Sequence, residues 1–167
     1  LVTGRILDDL DPLLPAAPLF DAIVAENGAV LRLAGQALPT VLARPPQPAF
    51  LERLTQTGVR HRSGSCIVEA SADTAPRVVE AIRALGAPLA LSFNRDRLMV
   101  LPEGVTKGTG LQEALWRLRV SSHNALAIGD AENDRSLLEA CEVGVAVSWG
   151  NTSLRQEAEL VIPGEEI

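Results

Sequence analysis

A chain of 167 residues is long enough for one domain with a sizeable core, or for a domain carrying a small insertion. Its hydrophobic content of 47% excludes a disordered chain, and no apolar run approaches the ~20 residues of a membrane span. The net charge of −6, with 3% aromatic residues and no basic stripe, argues against a nucleic-acid partner.

In chain order, "LVTGR" (1–5) reads as a strand end. Two apolar residues stop at the hydroxyl of Thr3, and Gly4 and Arg5 follow, so that a hydroxyl and backbone N–H groups face an anion. The doublet Asp8-Asp9 reads as a helix-start charge pair. Residues 22–34 read as strand, Asn27-Gly28 turn, strand, because Asn-Gly between β-formers favours a hairpin. "RPPQP" (44–48) excludes regular structure and marks a boundary. The spacing then predicts a helix over 47–57, with Phe50, Leu51 and Leu54 on one face and Gly58 stopping it. A strand follows over 65–71. Asp73 or Thr74 caps a helix whose Val78, Val79, Ile82 and Leu85 keep helical spacing until Gly86 and Pro88. "LALSF" and "RLMVL" are two strands joined around "NRD", so residues 44–103 form an α/β unit of their own.

After Gly108 the pattern changes. A helix carries Leu111, Leu115 and Leu118 on one side. "ALAIG" (125–129) is apolar throughout, as in a parallel strand covered on both faces. A helix over 134–141, the strand "VGVAV", a helix capped by Asn151 or Thr152, and a last strand "LVI" complete the alternation. Strands alternating with helices indicate an α/β protein with a doubly wound parallel sheet. Cys66 and Cys141 stand in no metal-like spacing and read as two reduced thiols, which places the protein in the cytoplasm.

Two short stretches carry chemistry. In "GDAENDRS" the apolar strand ends at Gly129, and Asp130, Glu132, Asn133 and Asp134 follow at once. Groups beyond the carboxyl ends of parallel strands are where open α/β sheets place their sites. Asp130 and Asp134 repel if they share a face, and a divalent cation such as Mg²⁺ removes the penalty. The competing reading is a helix start, where acids are favoured by about 0.3–1 kcal/mol. The second stretch is "GVTKGTGLQEAL" (104–115). Of fifteen basic residues fourteen are arginine, and the single lysine, Lys107, precedes a Gly-Thr-Gly turn that opens a helix. A cation is badly placed at a helix N-terminus, so either an anion is expected there or the lysine is ordinary surface.

Thr-Gly-Arg, then a lysine before Gly-Thr-Gly, then Gly-Asp-x-x-Asn-Asp resemble, in that order, the haloacid dehalogenase superfamily of phosphohydrolases. With "ENGA" (26–29) and an α/β insertion between threonine and lysine, the resemblance is to the Cof-type (IIB) branch. It implies a Rossmann-like core formed by residues 1–43 and 104–167, with 44–103 as an α/β cap. It further implies a Mg²⁺-dependent phosphomonoester hydrolase acting on a small phosphorylated metabolite through an aspartyl-phosphate. By this resemblance Asp130 ligates Mg²⁺, and Asp134 ligates it or holds its water. Lys107 pairs with a phosphate oxygen, Asn133 orients lysine or phosphate, and Thr3 with Gly4 hydrogen-bonds the phosphoryl group. Asn27 either faces the substrate or serves only the turn's positive φ. Arg60, His61, Arg62, Arg95 and Arg97 of the cap are candidates for the organic part of the substrate, and Glu132 stays solvated.

The family's first motif, Asp-x-Asp followed by a small hydroxyl residue, does not occur in these residues. Its strand lies between those ending at Thr3 and at Asp130, and omitting it leaves the two about 9.6 Å apart. The expectation is that an N-terminal segment or another chain fills that place. Without a nucleophile, the alternative is a non-catalytic domain that binds a phosphorylated ligand or a protein partner.

Overall fold

The computed structural model describes residues 1–10, 12–13 and 19–164. β1 (Ala22–Ala25), β2 (Val30–Leu33) and β3 (Thr40–Val41) form an antiparallel ribbon in that order, and Val2 joins β1 through one parallel bridge to Val24. The turn between β1 and β2 is the expected Asn-Gly. Glu26 and Asn27 sit at φ 52° and 56°, and Gly28 at 110°, a value that glycine alone adopts without strain. Period-2 alternation then sorts the side chains. Ile23, Ala25 and Val30 face one way. Val24 and Leu31 face the other, against Ala114 of α3 (Lys107–Leu118).

Residues 48–102 build the second unit: α1 (Pro48–Gln56), β4 (His61–Ser63), β5 (Val68–Ser71), α2 (Ala75–Leu85), β6 (Leu89–Asn94) and β7 (Arg97–Pro102). Its four strands are antiparallel in the order β4-β5-β7-β6. Leu98 and Val100 pack under the helices with Phe50, Leu54, Val78 and Ala81. Met99 and Leu101 point the other way and pack with Ile6, Leu7, Leu10, Ile23 and Val30. One strand therefore serves two cores and fastens this unit to the ribbon.

Several boundaries differ from expectation, each for a local reason. α1 begins at Pro48, because proline suits a first helical turn, whose N–H groups have no intrahelical partner. β5 begins at Val68 and not at 65, since the amides of Ser65, Cys66 and Ile67 are taken by the Glu26 carboxylate. Neither Asp73 nor Thr74 caps α2 by its side chain. A 3₁₀ turn (Ala72–Thr74) runs straight into the helix, and the Thr74 hydroxyl donates to the Ser71 carbonyl at 2.6 Å. Gly58 (φ 70°) and Gly86 (φ 55°) stop α1 and α2 as expected.

The third unit is parallel: β8 (Leu126–Gly129), β9 (Val143–Val147) and β10 (Leu160–Ile162), with β9 central. α4 (Arg135–Glu139) and α5 (Thr152–Glu157) accompany it. Asn151, not Thr152, caps α5, its Oδ1 accepting from the amides of Ser153 (2.9 Å) and Leu154 (3.3 Å). Among the described residues β8 is covered on one face only. Ala127 packs with Leu137 and Leu138 of α4, while Leu126 and Ile128 are 58% and 55% exposed. Among the described residues no strand pairs with the other edge of β8, and no ladder joins it to Val2. The architecture is thus α/β with a parallel part, an antiparallel ribbon and an inserted α/β unit. No helix of the described residues is long and apolar enough to cross a membrane.

Candidate functional site

Three loops meet at one rim. The first runs from Thr3 to Arg5. Thr3 N donates to Val24 O (2.8 Å), Asn27 N to Thr3 O (3.1 Å) and Glu26 N to Arg5 O (2.9 Å), so the loop is laced to the β1–β2 turn. The Arg5 amide donates to Thr3 Oγ1 at 3.2 Å, which leaves the hydroxyl proton free to be donated elsewhere.

The second loop delivers Lys107, the first residue of α3. Thr106 before it is the N-cap: its Oγ1 accepts from the Thr109 amide (3.1 Å), and Thr109 Oγ1 accepts from the Thr106 amide (3.0 Å). The trace of this reciprocal box in the sequence is Thr-x-x-Thr. Lys107 ion-pairs with the Asp134 carboxylate and donates to Asn133 Oδ1 at 3.4 Å. Its side chain is 9% exposed and that of Asp134 is 6%. The anion that the helix start called for is held within the chain itself.

The third loop explains the crowding of acids after β8. Asp134 folds back, its Oδ2 accepting from the amides of Asp130 and Ala131, each at 3.1 Å. Gly129 makes room for it, since a Cβ there would lie 2.6 Å from Asp134 Cβ. The two acids of the turn differ in burial and partners. Asp134 is buried and Asp130 is exposed. Glu132 is exposed as expected. Asn133 Nδ2 donates to Asn27 Oδ1 at 3.2 Å, which ties the third loop to the β1–β2 turn.

Glycines let these backbones touch. A Cβ on Gly28 would lie 2.0 Å from Thr106 O, on Gly110 2.5 Å from Gly28 Cα, and on Gly108 2.2 Å from Ser136 O. The glycines of "NGA" and "KGTG" are thus packing positions that draw the three loops together.

Between the loops lies a cavity of about 270 Å³, lined by Thr3, Gly4, Lys107, Asp130 and Asp134 among others. Asn27 (4% exposed) and Asn133 are not among its lining residues, and stand behind Gly4 and Lys107, which are. Arg5, Asn94, Arg97 and Met99 line it as well. In sequence Arg97 stands among the cap's other arginines. The period-2 signal that separates it is its place with Met99, opposite Leu98 and Val100. Of the other candidates, Arg62 pairs with Asp9 at 2.7 Å and His61 Nδ1 lies 3.1 Å from Val59 O. Asp9 thus serves a salt bridge as well as the 3₁₀ turn Leu7–Asp9. The Arg62 hydrogen bond leads in holding the Asp9 carboxyl below the usual range.

The sequence reading missed Glu26. It is fully buried, and its carboxylate accepts from the amides of Ser65 (2.9 Å), Cys66 (2.7 Å) and Ile67 (3.2 Å). The signal was an acid inside an otherwise apolar strand end. Burial pushes the thiols of both free cysteines up. Cys66 donates to Ala43 O at 3.1 Å.

The donor set can be tested against Mg²⁺, which takes one or two carboxylates and fills its octahedron with water and phosphate oxygens. Among the described residues no group of three His, Cys, Asp or Glu side chains could cage a metal. Both oxygens of Asp134 are engaged, whereas Asp130 faces the cavity with no side-chain partner among the described residues. That set fits a water-rich Mg²⁺ held through Asp130, and does not fit a metal that needs an all-protein cage.

A Rossmann-like α/β sheet with a four-stranded α/β insertion, and a polar cavity at the ends of its strands, defines the class. The model of the haloacid dehalogenase-like hydrolases matches residues 73–166, and the chain belongs to that family. It is 33% identical over 175 residues to the glucosylglycerol-phosphate synthase of Pseudomonas anguilliseptica, a match covering 93% of this chain and 22% of that protein. It is 28% identical over 152 residues to the phosphoglycolate phosphatase of Halorubrum lacusprofundi, covering 85% of this chain and 66% of the relative. The chain therefore spans about a fifth of the first relative and just under two thirds of the second. A haloacid dehalogenase subclass IIB sugar phosphatase superposes with a TM-score of 0.73 at 16% identity, covering 97% of this chain and 78% of that one, which is a likeness of fold.

Proposed function

We propose that these residues form the phosphate-handling part of a Mg²⁺-dependent phosphomonoester hydrolase that acts on a small phosphorylated metabolite in the cytoplasm. One observation carries the reading: Thr3, Gly4, Lys107, Asp130 and Asp134, from three separate loops, line a single cavity at the strand ends. The family and the phosphatase names among its relatives support it.

Each residue has a role its contacts suit. The Thr3 hydroxyl, already accepting from the Arg5 amide, donates to a phosphoryl oxygen, and the Gly4 backbone approaches it without a side chain in the way. The Lys107 ammonium, held by Asp134 and Asn133, turns its remaining proton toward the cavity and offsets charge on the phosphoryl group. Asn27 fixes Asn133 and so fixes the lysine. Asp130 would hold Mg²⁺, which supplies charge neutralisation of the transferring phosphoryl group. The nucleophilic aspartate, and with it the aspartyl-phosphate, is assigned to a strand in the open place between Val2 and β8, beside the exposed Leu126 and Ile128. Residues 44–103 are the cap that closes over the substrate.

The second reading is a domain that binds a phosphorylated ligand without turnover. It draws on the pairing of Lys107 with Asp134 and on the absence of a nucleophile–base pair in the cavity among the described residues. Phosphate release from an aryl phosphate by the full-length protein, with and without Mg²⁺, separates the two. Metal-dependent release supports the hydrolase. Saturable phosphate binding with no release in any metal supports the binding domain.

A further inference from the structure

One turn of three residues touches the inserted unit and all three loops of the cavity rim. Glu26, Asn27 and Gly28 sit at positive φ, 52°, 56° and 110°. That conformation is ordinary for glycine and tolerated by asparagine, but it is disfavoured for glutamate, whose longer side chain does not bond its own backbone. A residue held there against preference calls for a reason beyond the turn itself. The contacts supply one. The fully buried Glu26 carboxylate takes the amides of Ser65, Cys66 and Ile67 from the inserted unit. The Glu26 and Asn27 amides hold the first loop through Arg5 O and Thr3 O. Asn27 Oδ1 accepts from Asn133, whose own Oδ1 accepts from Lys107. Gly28 leaves room for the carbonyl of Thr106, the residue before that lysine. A run of polar contacts thus leads from the backbone at 65–67, through Glu26 and Asn27, to the Lys107 ammonium.

The run has little slack. Gly64 stands over the Glu26 carboxylate so closely that a Cβ would lie 2.6 Å from Oε1 and 2.7 Å from Cδ. A close-packed carboxylate with three donors from one segment does not shift alone, and its own backbone must follow. Resting on the hydrolase reading above, we infer that Glu26 is a positioning residue for phosphoryl transfer: it converts the seating of the inserted unit into the placement of Lys107 and Thr3. With the amides of 65–67 docked, the turn is held and the lysine stands where phosphoryl charge develops. With the docking disturbed, the turn relaxes and the rim loses register, although every residue lining the cavity is still present. The inserted unit then acts on the chemical step and not only on access to the cavity.

The test uses the full-length protein with Mg²⁺ and an aryl phosphate, well below each variant's thermal midpoint, so that stability does not enter the rate. Gly64→Ala presses on the carboxylate from the inserted unit, and Glu26→Asp shortens its reach by one methylene. Each is expected to lower kcat about tenfold to a hundredfold, the cost of a small misplacement at the reacting centre, with KM within about threefold of wild type. Asn27→Gly keeps the positive φ and cuts the relay to Asn133. In that background Gly64→Ala should cost less than about a further twofold in kcat, because positions in one relay are not additive. Wild-type kcat in both Gly64→Ala and Glu26→Asp overturns the proposal, and so does a Gly64→Ala loss that multiplies in full with that of Asn27→Gly. If no ester is turned over by the wild type, the hydrolase reading fails separately, and amide exchange decides the coupling. In Glu26→Asp the amides of Asp130 and Ala131, which end on Asp134 beside Lys107, should exchange at least about tenfold faster relative to the β9 amides. Unchanged relative rates at Asp130 and Ala131 overturn it.

Discussion

Asp130 and Asp134 stand four positions apart and are expected to fail in different ways. Asp134 and Lys107 form a buried ion pair, and removing one partner strands the other's charge. Lys107→Ala should therefore cost about 3–5 kcal/mol of stability in urea unfolding, besides lowering turnover by orders of magnitude. The double variant Lys107→Ala/Asp134→Ala should recover part of the stability and none of the activity. Asp130 is exposed, so Asp130→Asn should leave stability within about 0.5 kcal/mol of wild type and abolish metal-dependent turnover. Wild-type rates in Asp130→Asn, or a negligible stability loss in Lys107→Ala, would contradict these roles. The sequence showed that this turn was crowded with acids. It could not show which acid is buried in an ion pair, because that depends on Lys107 arriving from 27 residues away.

Cys66 gives a residue-level pH dependence. Burial raises its thiol above the ordinary 9.0, the Glu26 carboxylate adds to the rise, and the Ala43 hydrogen bond opposes it. The folded state thus binds the proton more tightly than the unfolded chain. Its contribution to stability is complete below pH 9, and is lost as the pH climbs from there through the folded value. Urea midpoints measured from pH 8 to pH 10.5 should fall in wild type more steeply than in Cys66→Ala. Parallel slopes would remove the assignment.

At the scale of elements, Glu26 decides how the inserted unit is seated. Three successive amides, Ser65 to Ile67, end on one buried carboxylate of the β1–β2 turn. Glu26→Ala leaves those donors without a partner, and each unsatisfied buried amide costs about 1–3 kcal/mol. Ser65 is exposed and its amide can turn to water, so the Cys66 and Ile67 amides set the expected loss, about 2–6 kcal/mol in denaturant unfolding. Gly64→Ala approaches the same contact from the other side, because its Cβ would lie 2.6 Å from Glu26 Oε1. It should cost about 1–3 kcal/mol as a crowded substitution. Losses under 0.5 kcal/mol in both variants would mean that the seating rests on the apolar core around Met99 and Leu101 alone.

The elements themselves were largely legible, since hydrophobic period and glycine stops mark α1, α2, the β6–β7 hairpin and the β9-α5-β10 succession. What the chain concealed was tertiary. The start of β5 moved because a carboxylate 40 residues earlier claims the Cys66 amide. β8 reads as doubly covered because Leu126 and Ile128 are apolar, although they stand exposed. The backbone contacts of Gly28, Gly108 and Gly110 left only glycines as their trace, which a local reading assigns to turns.

For the molecule as a whole, metal binding and stability are linked, and this separates a cation site from a cluster of acids that only starts a helix. A ligand that binds the folded state stabilises it by RT ln(1 + [L]/Kd), about 2.7 kcal/mol at a hundred times Kd. Asp130 would hold Mg²⁺ at the end of β8, where the parallel unit meets the Thr3 loop and α3. Added Mg²⁺ should therefore raise the thermal midpoint of the full-length protein, and a chelator should reverse the rise. Asp130→Asn should abolish the rise while leaving the metal-free midpoint unchanged. Lys107→Ala behaves oppositely, with a lower metal-free midpoint and a Mg²⁺ response that persists, because Asp130 is still present. The two variants thus distinguish a lost ligand from a lost strut without any measurement of turnover. A Mg²⁺ response of the same size in Asp130→Asn would move the cation away from this rim, and the wild-type protein showing none would leave the rim to the phosphate alone.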